Sequence, residues 1–137
     1  MSNLNNQTFA KPEIYITEAD YNTLSALVDS RDDSIPTVAL LGEEIDRAIR
    51  AEQRAEKIFV QIGSVVEYTD LSGGQRKKVQ LALPQDADIA MGRISVLTPV
   101  GASLIGLTEG SRFEWLGTDK RVRTLEIVKI SEPVTAE

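Results

Sequence analysis

The chain has 137 residues, 42% of them apolar, and carries 21 acids against 15 bases for a net charge of −6. It holds no cysteine and no histidine, which removes disulfides, thiolate metal sites, thiol nucleophiles, the commonest general base and most zinc centres, and argues against an enzyme. Its size suits one domain or two small ones. Its acidity argues against broad nucleic-acid binding and favours solubility, or a partner offering basic surface.

Residues 1–13 are polar, lack the apolar core of a signal peptide and are expected to be disordered. No run approaches the roughly 20 apolar residues of a membrane span, so a cytoplasmic location is the default expectation. Glu13 to Ile16 reads as a short extended piece. Thr17 with Asp20 is close to a capping box. Tyr21, Leu24, Leu27 and Val28 then recur at helical spacing, predicting a helix to Asp29. Asp29 to Ser34 reads as a turn, and Pro36 can open a second helix, expected over Thr37 to Lys57. Val38, Leu41, Ile45 and Ala48/Ile49 form its apolar stripe. Glu43–Arg47 and Asp46–Arg50 are favourable i,i+4 pairs. Two striped helices joined by a short loop predict an antiparallel hairpin, a short coiled coil, over residues 14–57.

From residue 58 onward the apolar period changes to two. Val66 and Tyr68 share one strand face; Ser72-Gly73-Gly74 signals a turn; Val79, Leu81 and Leu83 share a face on the next strand. Pro84 to Gly92 reads as a loop carrying Asp86 and Asp88. Ile94 and Val96 mark a strand, and Thr98 can cap a helix with Pro99 at its first position. Val100, Leu104, Ile105 and Leu107 stripe that helix, and Gly106 or Gly110 can end it in the left-handed conformation. Phe113 and Trp115 mark another strand. Thr118-Asp119-Lys120 turns into a last strand, Val122 to Ile130, where adjacent Ile127 and Val128 point to a bulge. Antiparallel strands with one short helix make residues 58–137 an α+β domain.

Asp29, Asp32 and Asp33 sit at the tip of the predicted hairpin. Two adjacent carboxylates on a protruding loop can bind a hard cation. Turn formation explains Asp and Ser there without a metal, and that is the favoured reading. Arg76-Lys77-Lys78 and Lys120-Arg121-Arg123 are basic runs without interleaved aromatics, so solvated faces are expected. No glycine-rich phosphate loop is present. Phe113 and Trp115 are expected in the core.

The segment Ile94 to Trp115, ISVLTPVGASLIGLTEGSRFEW, resembles the C-terminal domain of the Gre transcription factors. There a strand runs into Ser-Pro, a short helix ending Leu-Ile-Gly, a glycine and another strand. PVGASLIGL is closer to the Rnk branch, the regulators of nucleoside diphosphate kinase. The resemblance covers roughly the last 80 residues and, more loosely, the first 57. It implies an FKBP-like version of the α+β domain. It also implies contact with the rim of the secondary channel of bacterial RNA polymerase through Ser95, Leu97, Thr98, Pro99 and Val100. Cleavage-type Gre factors use acidic residues at the tip of a long hairpin to hold a metal ion in the polymerase active site. This chain departs from them. Its predicted helices span only about 20 and 30 Å, Ala102 stands where they carry a basic residue, and Leu97 where they often carry a polar one. The expected function is therefore a polymerase-binding regulator that competes with Gre factors without stimulating transcript cleavage. The alternatives are a cleavage stimulator with a shortened hairpin and an FKBP-like prolyl isomerase. A link to nucleoside diphosphate kinase rests on the family label alone. No cofactor, no metal, no direct sequence-specific nucleic-acid binding and a monomeric state are expected.

Overall fold

A computed structural model describes residues 11–51, 58–116 and 119–131. The sequence up to residue 10, where most of the expected disorder falls, lies outside the described residues. Strand β1 (Tyr15–Ile16) leads into helix α1 (Glu18–Asp29), whose start is set by Thr17: its hydroxyl accepts the N–H of Asp20 at 3.1 Å. The capping box is not completed by Asp20. Its carboxylate turns away and accepts the N–H of Ile62 at 3.2 Å, on the chain entering the sheet. Helix α2 (Pro36–Arg47) opens on Pro36, as expected of a residue that lacks the amide a first turn leaves unbonded.

The second helix is shorter than the sequence suggests. Ala48 is extended, and strand β2 (Ile49–Arg50) pairs in parallel with β1. Ile49 donates its N–H to the Ile14 carbonyl at 2.9 Å, and Ala51 donates to Ile16 at 3.0 Å. Helix propensity separates most residues by only a few tenths of a kcal/mol, and strand pairing beside a buried core overrides it. The expected continuation through residues 52–57 lies outside the described residues. The predicted ion pairs change with the boundary. Arg47 pairs with Glu44 rather than Glu43. Arg50, now off the helix, binds Glu18 at 2.8 Å and lies 3.8 Å over the Tyr21 ring. Ile49, expected in the apolar stripe, is exposed, whereas Glu44 is buried.

The remaining strands form one sheet: β3 (Val65–Asp70), β4 (Gln75–Ala82), β5 (Arg93–Ser95), β6 (Arg112–Leu116) and β7 (Val122–Ser131), in the order β5-β4-β3-β7-β6. The prediction of antiparallel strands throughout is corrected at one edge. Short β5 runs parallel to β4, because residues 84–92 carry the chain back along β4 before it pairs. The bulge predicted at Ile127/Val128 is present. Glu67 faces Lys129 while Tyr68 faces Ile127, so Val128 is the extra residue. Helix α3 (Pro99–Leu104) is the one α-helix among the described residues of this part.

A single core joins the helices to the sheet. Leu24, Leu41 and Ile45 from α1 and α2 meet Ile14, Ile16, Leu104 and Leu107, and these meet Val66, Leu81, Phe113, Leu125 and Ile127. The helical hairpin therefore shares its buried face with the C-terminal part instead of sealing it alone. Among the described residues, no helix is long and apolar enough to cross a membrane.

Candidate docking site

The predicted contact residues form a closed turn between β5 and α3. Ser95 Oγ accepts the Leu97 N–H at 2.9 Å. The Ser95 carbonyl accepts both the N–H and the hydroxyl of Thr98, at 3.0 and 2.7 Å. Thr98 Oγ1 accepts the Gly101 N–H at 3.0 Å, capping α3 as its residue type and position suggest. Ser103 donates its hydroxyl to the Pro99 carbonyl at 2.7 Å. Leu97, Thr98 and Val100 are half-buried and Pro99 is exposed at the apex. Polar groups of this turn are thus satisfied internally. What it offers a partner is a fixed shape with a proline at its summit.

Two glycines hold this shape. A Cβ at Gly101 would overlap the Ser95 carbonyl. Gly106, with φ +81°, follows α3 in the left-handed conformation predicted for a helix stop, and its carbonyl accepts the Tyr15 N–H at 3.1 Å. A side chain there would press on Ile14 and Tyr15 at 2.8 and 2.7 Å. Gly106 thus ends the helix and also lets β1 approach.

Asp29, Asp32 and Asp33 lie exposed around the α1–α2 turn. Asp32 Oδ1 accepts the Ser34 N–H at 2.9 Å, and that bond holds its carboxyl below the ordinary value of 3.8. Its bond is that of an ordinary Asx turn. Among the described residues no group of three or more carboxylates is placed to hold a metal.

The basic runs, far apart in sequence, converge. The turns after β3 and before β7 lie at one end of the sheet, with Arg76–Lys78 and Lys120–Arg123 beside them. Between the two turns lies a shallow cleft of about 240 Å³ lined by Asp70, Ser72, Gly73, Arg121, Val122 and Arg123. Arg123 is paired with Asp119 at 2.9 Å. Since β5 runs parallel to β4, Thr98 and Pro99 emerge at the opposite end. Phe113 is fully buried with Trp115 against it, ring centroids 6.3 Å apart, as expected of core residues.

Sequence reasoning missed Glu44, 1% exposed on a helix otherwise read as apolar on that side. Arg47 Nε donates to its Oε1 at 3.0 Å. Arg47 Nη2 lies 2.7 Å from the same oxygen but off the line of a hydrogen bond, so that contact is ionic. Oε2 has no hydrogen-bond donor among the described residues and faces only the Lys11 ammonium at 3.9 Å. Arg47 also donates to the Pro12 carbonyl at 2.7 Å, pinning the chain before β1. The i,i+3 spacing of Glu44 and Arg47 was the one local signal for this pair, and it did not show that Glu44 is buried, because the chain that covers it comes from residues 11–12.

The architecture is that of an α+β protein in which a helix pair packs on the short helix α3 and shares one core with the sheet, with a capped strand–helix junction at the sheet edge. Residues 55–132 match the family described as transcription elongation factor, GreA/GreB, C-terminal part, and residues 12–50 match the Rnk N-terminus. The chain belongs to the GreA/GreB family, with an Rnk-type N-terminal part. It is similar to a regulator of nucleoside diphosphate kinase from Escherichia coli K12, 28% identical over 77% of this chain and 79% of that protein. It is also similar to a transcription elongation factor GreA from Nitratidesulfovibrio vulgaris, 47% identical over 37% of this chain. There it spans about a third, 32%, of the relative's length. Among solved structures, a prokaryotic transcription elongation factor GreA/GreB from Nitrosomonas europaea superposes with a TM-score of 0.68 at 30% identity. That match covers 88% of this chain and 99% of the other.

Proposed function

We propose that the chain is a non-enzymatic, monomeric regulator of bacterial RNA polymerase. On this reading it docks at the secondary-channel rim through Ser95 to Val100 and competes with Gre factors without stimulating transcript cleavage. The sheet with its single helix serves as an FKBP-like docking domain. The observation that carries the reading is the size of the hairpin. Each helix has 12 residues, about 18 Å long. Cleavage-type Gre factors have a much longer hairpin. A tip this close to the docking domain does not reach a distant catalytic centre, and its Asp32 carboxylate is already bonded within its own turn.

The test is a pull-down with polymerase core, with a cleavage-type Gre factor as competitor, followed by a transcript-cleavage assay. Displaceable binding without cleavage supports the proposal. Cleavage that disappears on changing Asp32 and Asp33 to Ala would instead make the chain a cleavage stimulator with a shortened arm. The prolyl isomerase reading needs an open aromatic pocket, and Phe113 is sealed in the core. Direct control of nucleoside diphosphate kinase rests only on the name of a relative.

A further inference from the structure

Two of the most exposed large apolar side chains share one short turn. Ile89 is 84% exposed and Met91 is 64% exposed. They sit on a 3-10 turn, Ile89–Met91, immediately before β5. The turn is held rigidly. Asp88 and Arg93 exchange backbone hydrogen bonds at 2.9 Å in both directions, Met91 donates to the Asp88 carbonyl at 2.9 Å, and Gly92 donates to Ile89 at 3.0 Å. Gly92 closes it in the left-handed conformation at φ +78°. Single exposed apolar residues need no explanation. A pair displayed on a turn whose backbone groups satisfy one another is a different case, because such a turn would form equally well with polar side chains at both positions.

The turn lies on the same outer strand as the proposed docking junction. Only the three residues of β5 and the Val96–Thr98 turn separate it from Pro99. At about 3.3 Å per residue, β5 spans about 10 Å. A standard interface covers about 800 Å² per partner, a disc about 30 Å across, so both features fit within one. Asp86 and Asp88 are exposed beside the apolar pair. Interface cores favour Met and apolar anchors inside a polar rim.

We infer that Ile89 and Met91 form a second anchor of the docking surface, entering an apolar hollow on the polymerase rim that is flanked by basic residues. The inference rests on the polymerase-binding reading and adds to it the residues that fix affinity. The Ser95–Val100 junction supplies shape, the Ile89–Met91 turn supplies apolar burial, and Asp86 with Asp88 supplies charge complementarity.

The experiment measures binding of the full chain to purified polymerase core, comparing wild type with Ile89→Ser/Met91→Ser and with Asp86→Lys. All three should share one melting temperature, since none of these side chains is buried. The double serine variant is expected to bind at least about tenfold more weakly, as truncation of an interface anchor does. Asp86→Lys should weaken binding at low salt and lose that effect at high salt. Wild type that binds, with a double variant that binds equally well, overturns the second anchor and leaves the docking junction standing. Wild type that fails to bind overturns the polymerase reading and the anchor with it. A wild-type dimer converted to a monomer by the double variant overturns the inference in favour of a second copy as the occupant.

Discussion

The α-carbon of Gly101 sits so close to the Ser95 carbonyl that a methyl group on it would overlap that oxygen. The same carbonyl accepts both the amide and the hydroxyl of Thr98. Strand end, cap and first helical turn are therefore one unit, and none of them can shift independently. Gly101→Ala is expected to destabilise the protein by about 1–3 kcal/mol, the usual cost of forcing a group into packed backbone. A urea unfolding midpoint unchanged from wild type would show that the turn yields more than its bonding suggests.

Thr98→Ala should cost about 1 kcal/mol by removing the oxygen that caps α3, and Thr98→Ser should restore most of it. Both side-chain hydrogen bonds of Thr98 use the hydroxyl and neither uses the methyl group. Thermal unfolding of the three proteins distinguishes a lost cap from a lost methyl group.

Glu44 is buried, while Arg47 and Lys11 keep access to water. Arg47→Ala strands the carboxylate and is expected to cost about 3–5 kcal/mol, as for other broken buried pairs. The double variant Glu44→Leu/Arg47→Met removes both charges and should recover most of that loss. Denaturant midpoints of the single and double variants provide the comparison. If the double variant is no better than the single, the pinning of the Pro12 carbonyl by Arg47 is the larger contribution.

Asp20 provides a pH test of known sign. Burial pushes its carboxyl above the ordinary 3.8, and the Ile62 N–H opposes that only in part. The folded state therefore binds the proton more tightly than the unfolded state. Stability contributed by this group is full below 3.8 and falls as pH rises through the raised folded value. Asp20→Asn keeps an acceptor for Ile62 and cannot titrate. Wild type measured against this variant should lose stability as pH rises from below 3.8 through the raised folded value. A flat difference across that range would contradict the desolvation.

Asp32 has the opposite sign. Its carboxyl is held low by the Ser34 N–H, so its contribution is present above 3.8 and lost as pH falls through the lowered value. Asp32→Ala should therefore reduce stability at neutral pH and make little difference in strong acid, as read by unfolding midpoints at both pH values. Addition of Mg²⁺ is expected to leave the melting temperature of the free protein unchanged, since Asp32 already bonds within its own turn.

Much of the local structure was legible from residue type and spacing. Thr17 and Thr98 cap helices because a short side chain with an oxygen can reach a free amide. Pro36 and Pro99 open helices, Gly106 stops one, Asp32 shapes a turn, and Val128 makes the bulge. The junction from Ser95 to Val100 was readable too, since every signal in it acts within a few residues. The basic runs were readable as runs but not as neighbours. Met91 and Ile89 were unremarkable in a loop until their exposure was known.

By itself, then, the sequence determined the capped and punctuated elements, which depend on interactions between near neighbours along the chain, and its apolar periods and motifs carried the α+β class and membership of the GreA/GreB family. Tertiary structure decided where α2 ends, which way β5 runs, that Glu44 is inside, and that helices and sheet share one core. Each of those depends on a partner well separated along the chain: Ile14 for Ile49, Gln80 for Arg93, Lys11 and Pro12 for the Glu44–Arg47 pair. Local propensities differ by tenths of a kcal/mol, whereas burial of one large apolar side chain contributes about 1.5–3 kcal/mol. Where the two disagree, the distant contact prevails.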